Sequence, residues 1–196
     1  MFSRFMLLSC LALPLAACVT VSNTLPMEEV ATFRVAEVKV GFAQGARVNW
    51  GDGERAFAAS KGAPATESDV YAKTPEGQAY IRNTITSKVK GAMERHLSAG
   101  LNGSRPVRVE VAIKEITIAS AIHRILIGGQ HTMSADVTLV DPKTGAVLVA
   151  FPGQASMAMA GQGVAGAILD QAFLPDRVDR VVDSYASQYR NWLVRA

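Results

Sequence analysis

The sequence predicts an α+β domain: a mainly antiparallel sheet of about four strands, with two amphipathic helices packed on one face. Three patterns lead there. Apolar and polar side chains alternate strictly through 107–113, and again on both sides of Asp141-Pro142-Lys143-Thr144-Gly145, the period of a half-buried strand. Ile81, Ile85, Val89, Met93 and Leu97 recur every four residues, as one face of a helix does. A second helical stripe follows Pro175. Hairpin strands with a helix before and a helix after favour one helical layer over an antiparallel sheet.

The chain opens with an export pattern. Arg4 gives positive charge, and residues 5–15 form an almost unbroken apolar run, too short to span a bilayer comfortably and placed as a signal h-region is. The run ends in Leu15-Ala16-Ala17-Cys18, which resembles the bacterial lipobox. There, small side chains fit a signal peptidase and a cysteine thiolate takes a diacylglyceryl group. The expected organisation is a signal peptide over 1–17, cleavage between Ala17 and Cys18, a lipidated tether over 18–30, and one domain over 31–196. Cys10 would leave with the signal and Cys18 would carry lipid, so the mature domain has no thiol for a disulfide or a metal. Several acyl chains, palmitate among them, hold a protein firmly on a membrane. The lipobox resemblance also bears on sorting: valine rather than aspartate at position 19 implies the outer membrane, facing the periplasm.

Thr32 to Val40 alternates around Phe33, Val35 and Val38 and is the expected first strand. Residues 41–73 read as one long irregular loop, with Gly51-Asp52-Gly53 as a turn. Thr74-Pro75-Glu76 opens the first helix: a hydroxyl cap, a proline in the first turn, and an acid against the dipole. Gly100 and Gly103 close it. The strand from Val107 continues through Ile116 and Ile118 after a phase shift at Lys114-Glu115, the mark of a bulge. Residues 119–130 form an apolar connection ending in Gly128-Gly129. Met133, Ala135, Val137 and Leu139 make one hairpin strand, and Val147, Val149 and Phe151 the other. In the last helix Val178, Val181, Val182, Tyr185, Tyr189 and Trp192 form a stripe whose aromatics are expected in the core.

Chemistry-bearing motifs are few. Gly161-Gln162-Gly163-Val164-Ala165-Gly166 matches the dinucleotide-loop spacing, with Asp183 some way beyond. That loop needs a βαβ unit, and no strand pattern follows the helix. The three histidines, His96, His123 and His131, lack ligand spacing, and no nucleophile elbow is present. His96 suits a helix C-terminus. Metal and cofactor are expected to be absent. The formal charge of +3 is scattered without a basic stripe, which argues against nucleic acid as a partner. Residues 144–169 are uncharged, long enough for a crude transmembrane filter, though rich in Ala and Gly and interrupted by Pro152.

Ile122-His123-Arg124, Gly128-Gly129-Gln130-His131 and Asp141-Pro142-Lys143-Thr144-Gly145, with Val35-Ala36-Glu37 and Asn49-Trp50-Gly51-Asp52, resemble an uncharacterised family of small bacterial envelope lipoproteins with a domain of unknown function. The resemblance brings no activity. The expected function is therefore non-enzymatic: a lipoprotein held on the membrane by its lipid, binding an envelope protein or assisting envelope assembly. Trp50, His123, Gly128, Gly129 and His131 are the candidate structural or partner site, with Gly128-Gly129 a sharp turn that His131 fixes. The alternatives are a membrane-inserting oligomer formed through the glycine-rich segment 153–169, and a hydrolase using His123 or His131.

Overall fold

The computed structural model describes residues 23–119, 131–153, 155–158 and 176–195. Their order is α1 (Met27–Val30), β1 (Phe33–Trp50), α2 (Gly51–Ser60), a 3-10 turn (Ala65–Glu67), α3 (Ser68–Ala72), α4 (Pro75–Ser98), β2 (Arg105–Ile118), β3 (His131–Val140), β4 (Val147–Phe151), β5 (Ala155–Ala158) and α5 (Arg177–Val194). The α+β expectation is met, with the sheet mostly antiparallel and α4 and α5 on one face.

The strands run β1-β2-β3-β4, with β5 also paired to β3. β2, β3, β4 and β5 pair antiparallel, whereas β1 and β2 are parallel. Parallel neighbours need a crossover long enough to return the chain to the same edge, and α2, α3 and α4 form it. The alternation of β2 and β3 then divides the sheet. Val107, Val109, Val111, Ile113, Ile116 and Ile118, with Met133, Ala135, Val137 and Leu139, are buried under the helices. The predicted phase shift is a real irregularity: Ile113 stands opposite Ala135 and Glu115 opposite Ser134, so Lys114 is the extra residue.

Residues 41–73 are not a loop. β1 continues to Trp50, and α2 starts at once. Two features hide this in the sequence. Residues 43–46 face Lys114 alone, between the pairs Phe42–Ile113 and Arg47–Glu115, which breaks the alternation; Gly45 there takes a positive φ of 72°. Gly51-Asp52-Gly53 looks like a turn but lies inside α2, because Gly53 serves close approach. A Cβ on it would lie 2.4 Å from Cε3 of Trp50, so only glycine lets the helix pack on the indole.

The two long helices follow their stripes. Thr74 Oγ1 accepts from Gly77 N at 3.0 Å, and Pro75 is the first residue of α4. Ile81, Ile85, Val89, Met93 and Leu97 are all buried. Each such side chain contributes about 1.5–3 kcal/mol by leaving water. In α5, Tyr185 and Tyr189 lie in the core, while Trp192 is partly buried and rests on Phe151 at 4.8 Å between ring centroids. Tyr185 Oη donates to Ala135 O at 2.6 Å and ties α5 to the sheet. Lys88 of α4 reaches Asp179 at 2.7 Å and Asp176 at 3.4 Å, and Arg95 reaches Asp183 at 2.9 Å. His96 also faces Asp183, at 3.4 Å.

Residues 23–30, read from sequence as tether, lie against the domain. Leu25 and Val30 belong to its core. Gly103 is pressed on the α1–β1 corner: its N–H donates to Phe33 O at 2.8 Å, and a Cβ would lie 2.0 Å from Thr32 O. Among the described residues, no helix is long and apolar enough to cross a membrane.

Candidate functional site

Two regions concentrate features that a core alone does not require. The first is one end of the sheet, where β1 and β2 finish and β3 begins. Trp50 pairs with Ile118, and Thr117 pairs with Thr132. The next step of that register sets Ile118 beside His131, so Trp50, Ile118 and His131 form a row on the helix-covered face. His131 is fully buried, and its Nδ1 accepts from Ala119 N at 3.1 Å. That bond requires an unprotonated Nδ1 and pins the start of β3 to the end of β2. A buried imidazole already accepting from a backbone amide is a brace, and that lone pair is not open to a substrate proton. Trp50 is buried with its Nε1 lacking a partner among the described residues.

Of the five residues singled out from sequence as a structural or partner site, Trp50 and His131 lie at this end of the sheet. His123, Gly128 and Gly129 lie outside the described residues, as do Ala17, Cys18 and the Gly161–Gly166 pattern. Of the uncharged segment, Ala155–Ala158 is β5, antiparallel to β3 with Ala158 opposite His131. The rest of the segment 153–169 offered for insertion, apart from Gly153, lies outside the described residues.

The second region is the face of the sheet away from the helices, with Lys39, Arg47, Arg108, Glu110, Lys114, Glu115, Ser134, Asp136 and Thr138 along three strands. Two shallow concavities lie there. One of about 450 Å³ is lined by Lys39, Gly41, Glu110, Ala112, Asp136 and Thr138. The other, of about 420 Å³, is lined by Gln44, Gly45, Arg47, Lys114, Glu115 and Ser134. Their charges pair with one another: Arg47 with Glu115 at 2.6 Å, Lys114 with Asp136 at 2.7 Å, and Arg108 with Glu110 at 2.7 Å. Asp136 Oδ1 also accepts from Gly153 N, and Ser134 Oγ donates to Gly153 O at 3.2 Å, so these side chains fasten the chain two residues past the end of β4. The Lys114–Asp136 pair is set by a cross-strand register shifted at Lys114, so no local pattern in the sequence announces it.

The perturbed groups tell the same story. Burial pushes the Tyr185 phenol well above its ordinary value, with the charge of Asp136 adding to it, and burial does the same to Tyr189. Both stay neutral. Burial alone would lower the Lys88 ammonium, but Asp179 and Asp176 more than offset it and hold it above the usual lysine value. The backbone amides of Lys143 and Thr144 hold the Asp141 carboxyl below the usual aspartate value. Each shift stems from an identified structural contact. Among the described residues, no group of three or more His, Cys, Asp or Glu side chains is placed to hold a metal ion.

One set of contacts was missed entirely from sequence. Asn23 Nδ2 donates to Trp192 O at 3.3 Å and Leu193 O at 2.8 Å, capping the last turn of α5. Arg195 Nη2 returns the grip, donating to Asn23 O at 2.7 Å and Leu25 O at 2.8 Å. Arg105 bridges Glu29 at 2.8 Å and Asp141 at 3.6 Å.

The pattern of a family of unknown function, DUF6778, matches residues 74–196, from the cap of α4 through α5. The chain belongs to this family. DUF6778 carries no assigned activity, in keeping with the uncharacterised family that the motifs resembled. No curated protein matches the chain. Among solved structures, a candidate lipoprotein from Caulobacter crescentus CB15 is 16% identical, with a TM-score of 0.36 over 57% of this chain and 81% of that one. The PelC dodecamer from Paraburkholderia phytofirmans is similar in two space groups. One is 13% identical with a TM-score of 0.33, covering 86% of this chain and 95% of that one. The other is 12% identical with a TM-score of 0.34, covering 84% and 94%. Scores this low do not establish a common fold.

Proposed function

We propose that this DUF6778 chain is a non-enzymatic lipoprotein of the bacterial envelope, anchored through Cys18 to the outer membrane on its periplasmic side, which binds a protein partner. The observation that carries the reading is Leu15-Ala16-Ala17-Cys18 at the end of a short apolar run behind Arg4. Small residues before a cysteine in that position are what lipoprotein processing requires. The partner surface in this reading is the polar sheet face. Its paired charges and shallow concavities offer donors and acceptors to another protein surface.

Two measurements test it. Metabolic labelling with a fatty-acid analogue should mark the wild type and not Cys18→Ser, and the variant should leave the membrane fraction; equal labelling refutes the anchor. For the partner, a photo-crosslinking residue replacing Thr138 on the open face should give a discrete adduct in cells. The same residue replacing Glu94, on the exposed side of α4, should not. Equal adducts at both positions, or none at Thr138, refute the assignment of the face.

A further inference from the structure

We infer that the end of the domain formed by α1, the C-termini of α4 and α5 and the β3–β4 loop faces the phospholipid surface, while the Trp50–His131 end points away from it. This rests on the lipidation of Cys18 proposed above.

The argument begins with where the chain becomes fixed. Asn23 is held to the last turn of α5 by its own amide and by Arg195, and Leu25 is buried in the core. The path of the chain is therefore set from Asn23 onward. Only four residues, 19–22, separate it from Cys18. Five steps along even a fully extended chain reach roughly 17 Å. Cys18 lipidated at the membrane surface keeps the Asn23 end within that distance of the headgroups.

The opposite end is out of range. α4 has 24 residues and runs between the two ends, a length of roughly 36 Å. Standing the domain on its Trp50–His131 end would demand about twice the reach that the tether has. The elements gathered around Asn23 also form one continuous surface, because Arg105 links Glu29 of α1 to Asp141 of the β3–β4 loop.

That surface carries groups suited to headgroups. Met27 on α1 and Val147 at the start of β4 are exposed large apolar side chains. Lys143 is exposed at the tip of the loop between them. Apolar side chains beside a cation fit the boundary between acyl chains and lipid phosphates. Among the described residues, the other exposed large apolar side chains, Val70 on α3 and Tyr80 near the start of α4, lie toward the far end, beyond the tether's reach, while α4 and α5 meet through mutually paired charges and the polar sheet face pairs its own.

The test uses the full chain, lipidated in a bacterial host and reconstituted into vesicles of phosphatidylethanolamine and phosphatidylglycerol. Because Cys10 leaves with the signal and Cys18 carries lipid, an introduced cysteine is the sole free thiol. Lys143→Cys and Ala59→Cys, both at exposed positions near opposite ends, are labelled with an environment-sensitive fluorophore. A nitroxide attached to the lipid headgroup then quenches what lies close to it. The Lys143→Cys label should be quenched at least threefold more than the Ala59→Cys label. Protein that floats with vesicles but shows equal or reversed quenching overturns the orientation. Protein that fails to float overturns the lipid anchor itself, so the two failures are distinguishable.

Discussion

Replacing Gly53 with alanine sets two known effects against each other. In a helix interior the change should stabilise by about 1 kcal/mol through backbone entropy. Here the new methyl would lie 2.4, 2.6 and 2.8 Å from Cε3, Cδ2 and Cζ3 of Trp50. Ordinary carbon contacts begin near roughly 3.5 Å, so the ring or the helix must move by about 1 Å. The indole is buried at 6% exposure and belongs to the main core cluster, so it has no solvent to turn into. Overpacking of this kind costs about 1–3 kcal/mol. Clash should therefore cancel or outweigh propensity, for a net loss of up to about 2 kcal/mol. Gly91→Ala in α4 is the control: its Cβ would meet only the far end of the Arg95 side chain, at 3.4 Å, and it should stabilise by about 1 kcal/mol. Urea melts followed by circular dichroism give both values. If Gly53→Ala stabilises as Gly91→Ala does, α2 is not seated on Trp50 and the course assigned to residues 50–60 is wrong.

Further outcomes are expected. His131→Ala removes a fully buried ring and the acceptor of Ala119 N, and should cost about 2–4 kcal/mol in the same melts; a loss under about 0.5 kcal/mol would show that His131 is not a brace. The Asp141 carboxyl is held below its ordinary value, so its contribution is fully present above the unfolded aspartate value and is lost as pH falls through the folded one. Asp141→Asn should therefore melt below wild type at neutral pH, with the gap closing in acid. A gap that stays constant across that range would show that the charged form is not the one being stabilised.

Much of the fold was legible because its period is local. β2, β3, α4 and α5 each bury one face against the same core, and their side chains repeat at two or about four residues accordingly. β1 was legible only as far as Val40. Beyond it, residues 43–46 abandon the alternation, and the strand is held by parallel pairing to residues of β2 about seventy positions later. No local pattern announces such a partner. The glycines at 51 and 53 misled for a related reason. Glycine marks a turn and a close approach alike, and only the position of the Trp50 ring tells which. At the candidate site, Trp50 and His131 could be singled out by residue type, but their common row depends on the register of three strands. The grip of Arg195 on Asn23 joins residues 172 positions apart, and neither side chain is unusual in its own neighbourhood.

The bulge at Lys114 connects these observations. In an unbroken strand, a core position at Ile113 would put Glu115 and Thr117 in the core and turn Ile116 and Ile118 outward, since faces alternate with period two. One extra residue reverses this. Ile116 and Ile118 are buried, while Glu115 reaches across to Arg47 and Thr117 to Asn49 on the open face. The same residue sends its ammonium to Asp136, which in turn holds the amide of Gly153 beyond β4. The shift thus sets both faces at once. On the covered side it brings Ile118 between Trp50 and His131, and on the open side it places the ion pairs that line the two concavities. The polar face proposed for a partner and the buried row at the far end of the sheet are two consequences of one inserted residue.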